Sequence, residues 1–522
     1  MDISTRIGNS RTKKSLLNSG ISLIFQILSI LIQFVARKVF LDYLGTEILG
    51  LNTTAQNLLQ FLNLAELGIG TAISFTLFKP LAENNKQEIS EIIDLQGKIY
   101  KRIALFLLFG SAILMCFFPK IFSKIELPLW YAYASFSVYL IGSLLTYFLN
   151  YRQVLLSASQ QDYKITLSYK AIMILRNLVA IFVVKYSANP FVGWLMVELL
   201  FSLTASVSLA HVTYKSFPEI RHSHHTFKYL RTKYKGFTKK IKQLFFHKIG
   251  AFALTQTSPL IIYAYASLTM VALYGNYIVI INGVMVLFSS IFNSVGAGIG
   301  NLVVEGDKGK IKNMFFEIQS LYFLIASVVC YTIFVEASNF VSLWIGAQYI
   351  LPPSTLALII ATLFIYITRW SIDHFILAYG LYGDILSPLI EAMLNIGLSI
   401  WFGDLWGLNG ILLGMLMSQI MVIMLWKPFY LISRRFPGMM KTYWMLVLKH
   451  FCCLVISAYI CYRLNGILLE VHATNISIGK FLLGCGVNAL MMSLCMIVLL
   501  CIFNTGIKYS FYRLKYLKKT LF

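Results

Sequence analysis

The chain has 522 residues, of which 58% are hydrophobic and only 12% charged, and its formal net charge is +23. A soluble domain is about a quarter charged and just under half apolar, so an ordinary water-soluble enzyme is excluded. In a soluble chain this charge would point to nucleic acid. In a membrane protein Lys and Arg simply collect in loops retained on the cytoplasmic side, so no nucleic-acid partner is expected.

Spanning a bilayer takes about 20 mostly apolar residues. Fourteen segments qualify: 16–37, 48–78, 103–122, 129–150, 165–186, 191–213, 245–266, 270–302, 314–335, 354–379, 385–402, 408–431, 442–463 and 476–504. Between the seventh and eighth, residues 249–304 carry no charge, and only Ser267-Leu268-Thr269 hints at a turn. The first span is too long for a cleaved signal peptide, and many more follow it. With the N-terminus inside, the cytoplasmic segments hold 35 of the 44 Lys and Arg, with ten in 215–248 and five in 427–449. The outer loops hold seven, and Arg176 and Arg369 lie within spans. That bias places both termini in the cytoplasm of a multi-pass protein. The outer loops are short and leave no folded external domain.

Local patterns recur at a near-constant offset. Glu83-Asn84-Asn85-Lys86 matches Glu305-Gly306-Asp307-Lys308, and Asp162 opens the fifth span as Asp384 opens the eleventh, both 222 residues apart. Phe217-Pro218 closes the sixth span as Phe436-Pro437 closes the twelfth, and Gly68-Ile69-Gly70 pairs with Gly298-Ile299-Gly300. Four matches in chain order indicate a duplicated six-span unit with both copies in the same orientation. The expected organisation is an N-terminal lobe (1–214), a basic cytoplasmic linker (215–244), a C-terminal lobe (245–440) and two extra helices with a basic tail (441–522).

Polar residues aligned on one face of a spanning helix mark either packing or a wet cavity. Ser15, Ser19, Ser22, Gln26, Ser29, Gln33 and Arg37 share one face of the first span. Asn52, Gln56, Gln60, Asn63, Glu66 and Ser74 share a face of the second, and Ser135, Tyr139, Ser143, Thr146, Asn150 and Gln153 one of the fourth. Thr362, Tyr366, Arg369 and Asp373 stack in the tenth, while the last two spans show no stripe. Such residues can simply glue helices together, but stripes running the full depth of spans one and two exceed what pairwise packing needs. Those two spans are expected to line a hydrated cavity.

Each ionisable residue within the membrane costs a few kcal/mol and is a functional candidate for that reason. Arg369 and Asp373 are an i,i+4 pair able to neutralise each other. Arg176 has no acid within a turn of its helix, so its partner is another helix or a ligand, and Arg suits bidentate phosphate recognition. Glu198 and Glu391 lie on no stripe and rank below the others.

Other signals carry less. Gly296-Ala-Gly298-Ile-Gly300 has no preceding strand and reads as close helix packing, not a phosphate loop. The eight Cys sit in apolar stretches without a CxxC pair, and Arg221-His222-Ser223-His224-His225 lies in a basic loop, so no metal or cofactor is expected. That loop, with Lys228, Arg231, Lys233, Lys235, Lys239, Lys240 and Lys242, reads as a contact for anionic lipid head groups. Thr255-Gln256-Thr257-Ser258-Pro259 puts a proline within the seventh span, where a helix kink is expected.

Tyr43-Leu-Gly45-Thr-Glu-Ile-Leu-Gly50-Leu-Asn52, Leu64-Ala-Glu66-Leu-Gly68-Ile-Gly70-Thr-Ala72 and Lys79-Pro80-Leu-Ala together resemble the polysaccharide transporter family. This is the Wzx-type oligosaccharide flippase branch of the multidrug/oligosaccharidyl-lipid/polysaccharide exporter superfamily. The resemblance implies an all-α fold of about 14 helices, with two six-helix lobes in a V-shaped, MATE-like arrangement plus two C-terminal helices. It implies transfer of an undecaprenyl-diphosphate-linked glycan unit across the bacterial cytoplasmic membrane for O-antigen or capsule. The implied partners are membrane lipids, the polysaccharide polymerase and the chain-length machinery. On the burial argument the substrate-contacting set is Arg176, Arg369, Arg37, Gln26, Gln33, Asn52, Gln56, Gln60 and Asn63. Glu66, Asp373 and His374 are the ion-coupling candidates. The rivals are a drug/cation antiporter of the same fold, expected to show an acidic site, a glycan polymerase, expected to show a large outer loop, and a scaffold without a cavity. No catalytic residue is expected.

Overall fold

The computed structural model describes residues 3–66, 69–123, 125–220, 223, 225–234, 259–381, 383–384, 386–468, 477–503 and 506–507. All regular elements among them are helical. That follows from the solvent, because hydrocarbon offers no partner for a backbone N–H or C=O and each segment must satisfy its own. Among the described residues ten helices are long and apolar enough to cross a membrane, or eleven if the bent pair Trp130–Phe148 and Tyr151–Ala158 is one span. Part of the seventh expected span, the 255–258 kink, the loop basics from Lys235 on and the C-terminal basic run lie outside the described residues. The chain divides into two compact units, Met1–Ala272 and Leu273–Phe522.

In the first unit α1 runs Ile3–Leu62, α2 Ile69–Ala82, α3 Lys86–Cys116, α4 Trp130–Phe148, α5 Ala171–Tyr186 and α6 Pro190–Ser216. The sequence suggests separate spans at 16–37 and 48–78, and the helical run breaks between them at Gly45 (φ 79°, ψ 175°), a positive-φ geometry that a side chain would resist. A second discontinuity falls within the second expected span. Residues Asn63–Glu66 form a 3₁₀ turn, held open by side-chain bonds from neighbouring helices, before the chain resumes as α2. α5 is preceded by a π-helical turn at Thr166–Lys170, and α1, α4, α5 and α6 pack together.

In the second unit α7 (Leu268–Glu305, whose first turn still belongs to the first unit), α8 (Lys308–Trp344), α9 (Pro353–Ala378), α10 (Leu386–Gln419), α11 (Met440–Leu468) and α12 (Ile478–Ile502) follow. α7 begins beside the Ser267-Leu268-Thr269 turn that the sequence singles out. α10 holds the eleventh expected span and the start of the twelfth, separated by a break at Trp406-Gly407 (Gly407 φ 55°). Beyond that break Gly410 and Gly414, four residues apart, lie against the Phe402 and Leu398–Ser399 backbone so closely that a Cβ at either would overlap it. Small residues let the two arms of α10 touch backbone to backbone. A second π-helical segment, Ile420–Trp426, carries the helix onward to Arg435.

The repeat-spaced motifs adopt matching local geometry. Asn85 caps α3 by accepting from the Glu88 N–H, and Asp307 caps α8 by accepting from the Gly309 and Lys310 N–H groups. Phe217 ends α6 at φ −136°, ψ 62°, and Phe436 ends the helix Lys427–Arg435 at φ −129°, ψ 60°. α11 and α12 pack on α8. There the buried Glu336 carboxylate accepts from Asn488 (2.9 Å) and Asn339 (3.0 Å), and Asn465 bonds Asn488 at 2.6 Å. The last two spans therefore do carry buried polar side chains, His450, Ser457 and Asn465 on α11 and Asn488 on α12.

Gly414→Ala and Gly410→Ala should each lower stability in detergent by about 1–3 kcal/mol through overpacking. Gly397→Ala, where nothing lies within 4 Å of the added Cβ, should be neutral or slightly stabilising. Thermal unfolding of the three purified variants checks this.

Candidate functional site

A cavity of about 420 Å³ opens among α1, α4, α5 and α6. The Gly45 break lets both halves of α1 address it, with Ser29, Gln33 and Arg37 before the break and Asn52, Thr53 and Gln56 after it. α4 contributes Tyr139, α5 Arg176 and Asn177, and α6 Trp194 and Glu198. An apolar cluster of Ile48, Val184, Phe191, Trp194 and Leu195 packs beside it.

Arg176 finds its partner on the neighbouring helix. Its Nη1 donates to Glu198 Oε1 at 2.5 Å, while Nε and Nη2 donate to Asn177 Oδ1 at 3.3 and 3.0 Å. Arg37 Nη2 donates to the Ala272 carbonyl oxygen at 3.1 Å. Asn52 is buried, and neither of its amide atoms bonds another described residue. The charged lining residues are Arg37, Arg176 and Glu198, so the cavity carries one net positive charge. Glu198, which lies on no polar stripe, lines this cavity as the partner of Arg176. Its signals in the sequence are its place within a span and the absence of any acid near Arg176 on its own helix.

Arg369, Asp373 and His374 belong to a different cavity, of about 500 Å³, in the second unit. Arg369 Nε and Lys427 Nζ both reach the Asp373 carboxylate, at 3.0 and 2.7 Å, on different oxygens. The i,i+4 pairing is as the sequence suggests, but Lys427 is not a loop residue. The π-helical segment before it keeps it within the helix that reaches Arg435. His374 is buried, with Nε2 3.2 Å from the Tyr322 hydroxyl.

Glu66 sits at a third place, on the 3₁₀ turn between α1 and α2. Its carboxylate accepts from Tyr100 (3.0 Å) and Tyr147 (2.8 Å) and pairs with no Lys or Arg among the described residues. Asn63 joins the same cluster, its Oδ1 accepting from Ser143 at 3.2 Å and lying 3.1 Å from the Tyr147 hydroxyl. The expected set thus splits: Gln33, Arg37, Asn52, Gln56 and Arg176 share the first cavity, while Gln26 and Gln60 are exposed and do not line it.

The basic loop is also partly committed. Lys233 Nζ and the Tyr234 hydroxyl bond Glu91 Oε2 at 2.6 and 2.8 Å, and Arg102 stacks 3.4 Å over the Phe227 ring. This stretch docks on α3 and does not project every cation toward lipid.

No protein-family model matches the chain, and no curated protein matches it. Among solved structures it is similar to a lipid II flippase, MurJ, in an inward closed conformation. That match has a TM-score of 0.59 at 13% identity and covers 94% of this chain and 99% of the other. It is also similar to an inward-facing multidrug-resistance MATE transporter of the MOP superfamily, with a TM-score of 0.58 at 13% identity over 80% of this chain and 98% of the other. The chain is an all-helical, multi-pass membrane protein with a MurJ- and MATE-like fold.

Removing Glu198 leaves a largely desolvated guanidinium. Glu198→Ala should therefore cost about 1–3 kcal/mol, less than a fully buried pair because the cavity admits water. Arg176→Ala in the same background should restore part of the loss. Additive losses in thermal unfolding would contradict this coupling.

Proposed function

We propose that this protein moves a polyprenyl-diphosphate-linked oligosaccharide across the bacterial cytoplasmic membrane, with both termini in the cytoplasm, and that it supplies surface polysaccharide assembly such as O-antigen or capsule. The observation that carries this reading is the first cavity: two arginines against one carboxylate, inside a bundle whose fold is shared with a lipid II flippase. A diphosphate is recognised by guanidinium donors in a low-dielectric site. A sugar chain cannot cross hydrocarbon alone, whereas a polyprenyl tail can remain in lipid. Gln33, Asn52 and Gln56 add neutral donors and acceptors beside the arginines.

Glu66 is the stronger ion-coupling candidate. Its only partners among the described residues are hydroxyl groups, which a proton or small cation can displace, whereas both Asp373 oxygens already hold cations. A drug/cation antiporter shares the fold, but a cavity of net positive charge repels a cationic substrate. The polymerase and chain-length machinery are the partners this role calls for.

Charge-assisted hydrogen bonds contribute about 1.5–3 kcal/mol each. Arg37→Ala and Arg176→Ala should thus each slow transfer of fluorescent undecaprenyl-diphosphate-oligosaccharide in proteoliposomes by about 10- to 100-fold. Membrane insertion should be unchanged. Wild-type rates in both variants would sink the assignment. Cysteines placed at 33 and 56 should react with aqueous thiol reagents, whereas protection at both would mean that the polar faces are helix glue.

A further inference from the structure

We infer that the polar cluster where α8, α11 and α12 meet is a binding site for a small monovalent cation such as Na⁺. The site is built from residues of the second unit alone and is independent of the substrate carried. At its centre is Glu336 on α8, 6% exposed. Its carboxylate lies against the α12 backbone, where Gly484 leaves room for it: a Cβ there would come within 2.6 Å of Glu336 Oε1. Asn488 Nδ2 donates to Oε1 at 2.9 Å and Asn339 Nδ2 to Oε2 at 3.0 Å. Both bonds are donated to the carboxyl group, as suits its ionised form. The amides carry no charge, and among the described residues no Lys, Arg or His pairs with Glu336. A carboxylate buried between spanning helices without a countercharge is costly, so another ion must balance it.

The cluster also offers idle oxygen. Asn465 Nδ2 on α11 donates to Asn488 Oδ1 at 2.6 Å, which sets the orientation of both amides. Asn465 is itself 6% exposed, and its Oδ1 bonds no described residue. The buried hydroxyl of Tyr331 on α8 lies beside Asn465. Carboxylate, amide carbonyl and hydroxyl oxygens are the ligands that hard cations take. A single carboxylate supplies one negative charge, which a monovalent cation balances and a divalent one exceeds. A proton would cancel the charge too, but it needs an acceptor, and Asn488 presents to the carboxyl group the N–H that suits an anion. Because these groups come from three helices, a bound cation fastens α11 and α12 to α8.

The test is thermal unfolding of the purified full-length protein in nanodiscs at about pH 8, with NaCl exchanged for N-methyl-D-glucamine chloride at constant ionic strength. Na⁺ should raise the wild-type melting temperature saturably, by about 2–4 °C, whereas the bulky amine should not. Glu336→Gln keeps the shape of the side chain and removes its charge. In Na⁺-free buffer it should melt at least as high as the wild type, and it should lose the Na⁺ shift. Asn465→Ala leaves both partners of the carboxylate in place and should weaken the apparent Na⁺ affinity by about tenfold. If Glu336→Gln fails to fold, Asn465→Ala carries the test. Glu66→Gln should keep the shift, which separates this site from the ion-coupling candidate at the 3₁₀ turn. A shift that survives whole in Glu336→Gln, or that disappears in Glu66→Gln instead, would overturn the site. A wild type that ignores Na⁺ and is stabilised on lowering the pH to about 6 would overturn it as well, since a proton would then balance Glu336.

Discussion

A charge inside a membrane-spanning bundle must be paired, hydrated or given up, and this constraint organises both cavities. Arg176 is held by Glu198 and Asn177, and Arg369 shares Asp373 with Lys427. Each arrangement joins two helices and fixes the guanidinium before any ligand arrives. Preorganisation of this kind lowers the ordering cost that binding would otherwise incur. The two linings differ in charge: two arginines and one carboxylate in the first, Arg369 and Asp373 in the second.

Placing those groups requires helices that are locally irregular. Gly45 redirects α1 so that Gln33, Arg37, Asn52 and Gln56 face one space. A π-helical turn precedes the Arg176 helix, and another leads into Lys427. Such turns alter the register of everything after them, and they recur at functional sites in other helices. The 3₁₀ turn at Asn63–Glu66 does the same for Glu66, turning its carboxylate toward Tyr100 and Tyr147. Regular helices carry the fold, and their interruptions carry the chemistry.

Much of this was legible in the residues. The arginines within spans appear in hydropathy, and the polar face of span one and the Asp373 pairing in helical periodicity, both of which depend only on neighbours in sequence. Glu198 ranked low and Lys427 counted only as a cytoplasmic basic residue, because each acquires meaning from a residue on another helix, 22 and 54 positions away. The grouping of Asn63 with Glu66, away from Gln56, was equally hidden, since no spacing rule marks where a helix tightens into a 3₁₀ turn.

Sequence by itself determined the class of molecule, an all-helical chain of many apolar segments, and the matched motifs at 83–86 and 305–308, because hydropathy and turn chemistry are local properties of the chain. Tertiary structure alone decided that, within the first unit, Asn63 and Glu66 cluster apart from Gln33, Arg37, Asn52, Gln56 and Arg176, and that in the second unit Lys427 joins Arg369 and Asp373. It also decided which cations are balanced and which leave an excess. Net charge at a site is a sum over helices distant in sequence, and only packing brings its terms together.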